Sequence, residues 1–168
     1  MRPHDPVVVP SIVANDTAER GGAVITESGG KEMLPNHRYT VEIRFVGDRL
    51  DPSEISRRLH LQPSSSMAQI AAGSSGRRRI PFWAYNGKGE AGFCAEWQSL
   101  EQGLEFLVQR IAPVRSVVIE LSKSFNGIWW CGHFQSSFDG GPTLSPRILV
   151  DVASFGLPLS IDNYFGSE

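Results

Sequence analysis

The sequence predicts an α+β fold: a mixed, largely antiparallel sheet with about three helices packed on one face, as a sandwich related to ferredoxin-like folds. Three observations support this prediction. Segments that alternate apolar and polar residues are interleaved with segments of helical period. The pair Asn126-Gly127 stands between two apolar runs, which favours a hairpin. The 168 residues, 40% of them hydrophobic, are enough for one ordinary domain.

The beginning of the chain differs from the rest. Residues 1–37 contain four prolines, two Gly-Gly pairs and only short apolar runs. Such a segment buries too little surface to offset the entropy of ordering it, so we expect a flexible N-terminal extension. The alternative is an edge strand at 7–13 or 23–26 that docks on the sheet. The folded domain is expected at 38–168.

In the first half of the domain, Tyr39–Phe45 alternates and predicts a strand with one face on the core. Asp51-Pro52-Ser53-Glu54 then has a cap, a proline at the first helical position and a capping-box acid, so it predicts a short helix that ends before Pro63. Residues 63–80 predict a long loop. The aromatic runs 82–85 and 93–97 predict two strands joined by a loose hairpin.

The second half continues the alternation of helices and strands. Leucines and other apolar residues at helical spacing predict a helix at 100–111. Val117, Ile119 and Leu121 alternate with other residues, so 114–122 is predicted to be a strand, paired through Asn126-Gly127 with a second strand at 128–134. Ser145-Pro146 starts a third helix, and an alternating segment from 157 to about 164 predicts the last strand.

Composition excludes several classes of protein. The net charge of −2 excludes a globally basic nucleic-acid binder, so nucleic acid is not the expected partner. No apolar stretch approaches the roughly 20 residues that span a bilayer, and the N-terminus does not resemble a signal peptide. We therefore expect no membrane association and a cytoplasmic location. Four histidines without ligand spacing and two cysteines predict no metal site and no cofactor.

The nucleophilic and titratable residues form no recognisable catalytic set. Cys94 and Cys131 lie on predicted strands, where buried, inert thiols are expected. Cys131 and His133 share a strand face, but no third group is present to orient them. An enzyme that uses Asp162 together with His133 or His60 is the least favoured hypothesis. We therefore expect a protein without catalytic residues.

A cluster of basic and aromatic residues is the first candidate site. Arg77, Arg78 and Arg79 stand near Trp83 and Tyr85 in the sequence. Guanidinium groups beside aromatic rings bind phosphorylated ligands or single-stranded nucleic acid. These five residues are the candidate ligand-binding site, with a merely solvated loop as the alternative.

Two adjacent tryptophans are the second candidate site. Neighbouring strand residues point to opposite faces, so if one of Trp129 and Trp130 is in the core, something must cover the other. A helix of the same chain or a partner protein could cover it, and tryptophan is a frequent interface anchor. An excess of basic residues at 39–79 and of acidic residues at 80–168 also suits a partner or a second copy. Protein–protein recognition, including self-association, is therefore the first functional hypothesis.

The chain also resembles a known family. The segments that resemble it are Tyr39–Phe45, Leu50–Ile55, Leu59–Pro63, the aromatic run ending at Trp97 with the Leu-rich helix after it, Leu144-Ser145-Pro146 and Leu159–Tyr164. Over about 39–165 the chain is similar to the bacterial domain-of-unknown-function family 4279. This resemblance implies a small cytoplasmic bacterial α+β domain with no established catalytic residues. Some relatives accompany toxin systems, so the resemblance leaves an immunity role open.

Overall fold

A computed structural model of the chain describes residues 37–69 and 79–166. Its strands are β1 (His37–Val46), β2 (Ser65–Met67), β3 (Phe82–Tyr85), β4 (Asn126–Gln135) and β5 (Leu159–Phe165). Its helices are α1 (Pro52–Leu59), α2 (Leu100–Ile111), α3 (Arg115–Ser122) and α4 (Pro146–Ala153), with a 3₁₀ turn at Ala112–Val114. The predicted extension, up to residue 36, and both proposed edge strands within it lie outside the described residues.

The strands form one mixed sheet in the order β2-β3-β1-β4-β5. β1 pairs antiparallel with β3 and β4, β2 pairs antiparallel with β3, and β4 pairs parallel with β5. A parallel pair needs a crossover connection, which α4 supplies. The α+β class and the mixed, largely antiparallel sheet are confirmed, whereas the relation to ferredoxin-like folds stays a prediction.

One side of the sheet is the core. The odd-numbered side chains of β1 are buried there, from Tyr39 to Phe45, and register places Ile43 beside Trp129 of β4. Each of the four helices contributes buried residues to the same apolar cluster, so the helices cover this side. Trp83 Nε1 donates to Ser56 Oγ of α1 at 2.9 Å, and Trp129 packs edge-on against Phe155 after α4.

Local capping places two of the helices as predicted. Asp51 accepts from the backbone N–H of Ser53 at 2.9 Å, with Pro52 at the first helical position of α1. Ser145 accepts from Ile148 N at 3.4 Å at the start of α4.

The longest described helix, α2, has 12 residues, and none of the described helices is long and apolar enough to cross a membrane.

Two of the predicted strands are wrong. Residues 115–122 form α3, because Val118 and Leu121, three residues apart, bury one helical face in the core. The run 93–97 is a loop whose strand-like contact is a single bridge between Trp97 and Tyr39. β3 therefore has no hairpin partner after it.

The predicted turn at Asn126-Gly127 is also wrong, because both residues already belong to β4 and pair with Val46 and Phe45. Within the predicted loop, Ser65–Met67 forms the short strand β2 on the outside of β3. Polar Ser-Ser-Met gives no apolar alternation, so only pairing with β3 makes it a strand.

The two adjacent tryptophans test this layering. Replacing Trp129 by alanine should lower the free energy of unfolding by about 3–5 kcal/mol, because it empties a fully buried site. Replacing Trp130, which points to the other side of the sheet, should cost about 1 kcal/mol. Urea unfolding of the two variants measures both values; equal losses would contradict the layering.

Candidate functional site

The side of the sheet opposite the helices presents the even-numbered side chains of β1, β4 and β5. Register places Glu42 beside Trp130 and Trp130 beside Ser160, so the three strands form one continuous surface. We call this surface the open face. It includes Arg38, Thr40, Glu42, Arg44, Trp130, Gly132, Phe134, Ser160, Asp162 and Tyr164.

Three aromatic rings occupy the middle of the open face. Phe134 and Tyr164 stack with centroids 4.9 Å apart and an interplanar angle of 14°. Trp130 meets Tyr164 edge-on at 6.4 Å. Trp130 and Phe134 are half-buried, and Tyr164 is 42% exposed. Rings that keep part of their surface in water in this way offer a rigid apolar contact area.

Polar groups hold Trp130 in place. The Arg44 guanidinium lies over its ring, 3.8 Å from the centroid, and also contacts the Glu42 carboxylate. The indole Nε1–H donates to Asp162 Oδ2 at 2.7 Å. Both the face and the edge of the Trp130 ring are therefore held in place by side chains of the chain itself.

Charges at this surface are largely paired within the chain. Arg44 is engaged by Glu42, and Arg38 donates to Glu96 at 2.7 Å. Asp162 is held by hydrogen bonds from neutral donors, Trp130 Nε1 and the Ser160 hydroxyl. The open face therefore has no excess of positive charge.

Gly132 leaves room for the rings. A Cβ atom at this position would lie 2.6 Å from Thr40 Oγ1, 3.0 Å from Phe134 Cε2 and 3.2 Å from the Trp130 ring. A side chain here would displace the Thr40 hydroxyl and would require the two rings to shift by a few tenths of an ångström. A glycine in this strand is thus explained by close approach rather than by a turn.

The histidine predicted on β4 lies on the helix side, not on the open face. His133 is 2% exposed; its Nε2 lies 2.9 Å from His37 Nδ1 and its Nδ1 lies 2.8 Å from Asn163 Oδ1. Its ring stacks on Tyr39 at 4.7 Å. Asp162 is on the opposite side of the sheet, so the structure does not bring the hypothetical acid–imidazole pair together.

The two cysteines differ in environment. Cys131 is buried as predicted, and burial, with the negative Asp162 and Glu42 nearby, raises the pKa of its thiol to about 12. Cys94 is exposed, contrary to expectation, because its segment is a loop and not a strand. Cys131 shares a strand face with His133, but a thiol that stays protonated is not a nucleophile.

The predicted arginine and aromatic cluster does not assemble in the described residues. Arg77 and Arg78 lie outside them, and Arg79 is exposed. Trp83 and Tyr85 point into the core, where Trp83 bonds to α1 and burial raises the pKa of Tyr85. Side chains alternate along β3, and Trp83 and Tyr85 lie opposite Phe45 and Ile43, which are on the core side of β1. These two rings are therefore not at the surface.

An open groove of about 650 Å³ lies beside α1. It is lined among others by Ser53, Arg57, His60 and Gln62, and His60 ends α1 in the left-handed region with φ 55°. Arg57 already binds both carboxylate oxygens of Glu54, which lowers the pKa of that carboxyl.

Within the described ranges, no cluster of histidine, cysteine and acidic groups is arranged to hold a metal.

The sequence left open which of Trp129 and Trp130 lies in the core, and the structure buries Trp129 and places Trp130 on the open face. Phe134, Tyr164 and Arg44 were not among the predicted site residues. The signal that finds them is the even-numbered register of β1, β4 and β5. Alternation along each strand indicates which residues share a face, but it does not show which strands lie side by side.

Comparison with known proteins gives one match. Residues 37–166 match the family described as "Domain of unknown function (DUF4279)", which confirms the resemblance found in the sequence. No curated protein and no solved structure matches the chain.

Gly132 provides a test of how the rings are arranged. Gly132→Ala should lower the free energy of unfolding by about 1–3 kcal/mol through overpacking, and should shift the NMR resonance of the Trp130 indole N–H. Gly141→Ala is the matched control, because a Cβ there meets nothing within 4 Å. An unchanged indole resonance in Gly132→Ala would contradict the arrangement.

The thiols provide a second test. At pH 8 a thiol of pKa about 12 has roughly one thiolate in 10⁴ molecules, so iodoacetamide should label Cys94 and leave Cys131 unmodified. Labelling of Cys131 should require urea. Mass spectrometry of the digested protein measures both sites, and fast native labelling of Cys131 would show that β4 is not buried as described.

Proposed function

We propose that the chain, which belongs to the DUF4279 family of domains of unknown function, is a non-enzymatic domain that recognises a partner protein through its open face. The observation that supports this most is the cluster of Trp130, Phe134 and Tyr164 on the side of the sheet that the helices leave free. Aromatic clusters that are partly exposed occur at interaction sites, and tryptophan and tyrosine are enriched among the residues that dominate binding.

The charge pattern favours a protein over a nucleic acid. Binding to phosphates draws its affinity from cations that neutralise them. Arg38 and Arg44 are already engaged by Glu96 and Glu42, and Asp162 adds a negative charge. A partner with an apolar, weakly charged contact surface fits this face better than a single strand of RNA or DNA.

Two kinds of protein partner are candidates. The family resemblance implies a toxin as one of them, and the other is a second copy of this chain. We place the domain in the bacterial cytoplasm, where a reducing environment keeps an exposed thiol such as Cys94 free.

The alternative is a phosphate-ligand or single-stranded nucleic-acid site at Arg77–Arg79. It has less support, because the rings of Trp83 and Tyr85 are in the core and Arg79 is the one arginine of the three that is described. It remains a competing outcome of the experiment below.

Capture and titration test the proposed function. Tagged full-length protein is incubated with lysate of the source organism, the captured protein is identified by mass, and its purified form is titrated by calorimetry. Trp130→Ala should bind at least tenfold more weakly, because it removes the central aromatic contact. Its circular dichroism should match that of the wild type.

Val150→Ala is the matched control, since this side chain is 68% exposed on α4, on the helix side. It should bind like the wild type. Equal weakening by Val150→Ala and Trp130→Ala would overturn the assignment of the open face. Capture of nucleic acid that is lost on changing Arg77, Arg78 and Arg79 to alanine, but not in Trp130→Ala, would overturn the choice of a protein partner.

A further inference from the structure

Besides the open face, the sheet has an unpaired edge, the outer edge of β5, among the described residues. β5 lies at one end of the strand order and pairs on its inner side with β4. At the two ends of this pairing, Trp129 N–H donates to Pro158 O at 2.9 Å and Gly166 N–H donates to Gln135 O at 3.1 Å. In a parallel ladder, alternate residues bond to the neighbour. Even-numbered residues of β5 therefore bond to β4.

The odd-numbered residues of β5 consequently turn their backbone groups away from the sheet. Leu159, Ile161, Asn163 and Phe165 present their N–H and C=O groups along an edge on which the described residues place no further strand. Natural edges are commonly blocked by proline, lysine or a short strand. β5 has seven residues and contains neither proline nor lysine.

The side chains that flank this edge indicate what would fit there. Asp162 is the single charged residue of β5, and its carboxylate is held by neutral donors without a cation among its hydrogen-bond partners. On the helix side, Phe165 is 54% exposed and lies 4.7 Å from the ring of Phe138, which is 85% exposed. The edge thus carries an acidic side chain on the open face and mainly apolar side chains, apart from Asn163, on the helix side.

We propose that the outer edge of β5 binds an extended segment of the partner protein as a sixth strand. The segment has a lysine or arginine opposite Asp162 on the open face and apolar side chains on the helix side. Its main chain bonds to the outward N–H and C=O groups of β5, while alternate side chains give specificity. This inference rests on the proposed function, because the segment belongs to the same partner protein.

A second copy of the chain fits the edge less well. The fullest symmetric, antiparallel overlap of two β5 strands is centred on residue 162 and places two Asp162 carboxylates opposite each other. Like charges directly opposite across a strand pair are destabilising. Charge complementarity therefore favours a foreign segment with a cation at this position.

A synthetic peptide provides the probe. The peptide acetyl-Val-Thr-Val-Lys-Val-Thr-Val-amide places lysine opposite Asp162 and valines on the helix side; its control has glutamate in place of lysine. On titration into full-length protein, hydrogen exchange by NMR should slow at the amides of Ile161, Asn163 and Phe165. The lysine peptide should bind about fivefold more tightly than the control, and Asp162→Asn should remove that preference.

A matched pair of variants separates the edge from the open face. Asn163→Pro replaces an outward N–H by a ring and should weaken peptide binding at least tenfold. Asn163→Ala loses the same contact with His133 but keeps the N–H, and should bind like the wild type.

Three results would overturn the inference. The first is unchanged hydrogen exchange of the β5 amides at saturating lysine peptide. The second is equal peptide binding by Asn163→Pro and Asn163→Ala. The third is amide protection that increases with protein concentration without peptide, which would indicate that a second copy occupies the edge. The proposed function fails separately, through Trp130→Ala. If Trp130→Ala weakens binding of the partner while Asn163→Pro does not, recognition through the open face is supported and binding at the β5 edge is contradicted.

Discussion

The ten-residue antiparallel pairing of β1 with β4 determines most of what this molecule presents to its surroundings. Side chains alternate along both strands, so the register that pairs Ile43 with Trp129 also pairs Glu42 with Trp130. A slip by one residue would exchange the core ring for the outer ring. The helices then cover one set of side chains, and the other set forms the open face.

The helices that are defined by local capping residues or by apolar periodicity were predictable from the sequence. Asp51 and Ser145 with the prolines after them start α1 and α4, and the apolar period of α2 defines that helix even though Ser99 makes no side-chain cap. α3 was not predictable from alternation. Its β-branched residues fit a strand equally well, and only burial of Val118 and Leu121 on one helical face decides the outcome.

Long-range pairing explains why the site was only partly predictable. The adjacent tryptophans indicated that one ring would lie outside the core, and Trp130 does. The rest of the open face depends on contacts between distant residues, such as Trp130 with Asp162 and Arg44 over the indole ring. No local pattern encodes that β5 joins β4 in parallel. Arg77–Arg79 stand near Trp83 and Tyr85 in the sequence only, because pairing of β3 with β1 turns these two rings into the core.

Among the described residues, helices cover one side of this sheet and leave the other side uncovered, and we propose that the uncovered side serves recognition. Hydroxyl-radical footprinting of the free protein tests it most directly, because oxidation reports the solvent access of each ring. We expect rapid oxidation of Trp130, Phe134 and Tyr164 and strong protection of Trp83 and Trp129. Equal protection of both groups in the free chain would contradict it, since the face assigned to recognition would then already be covered.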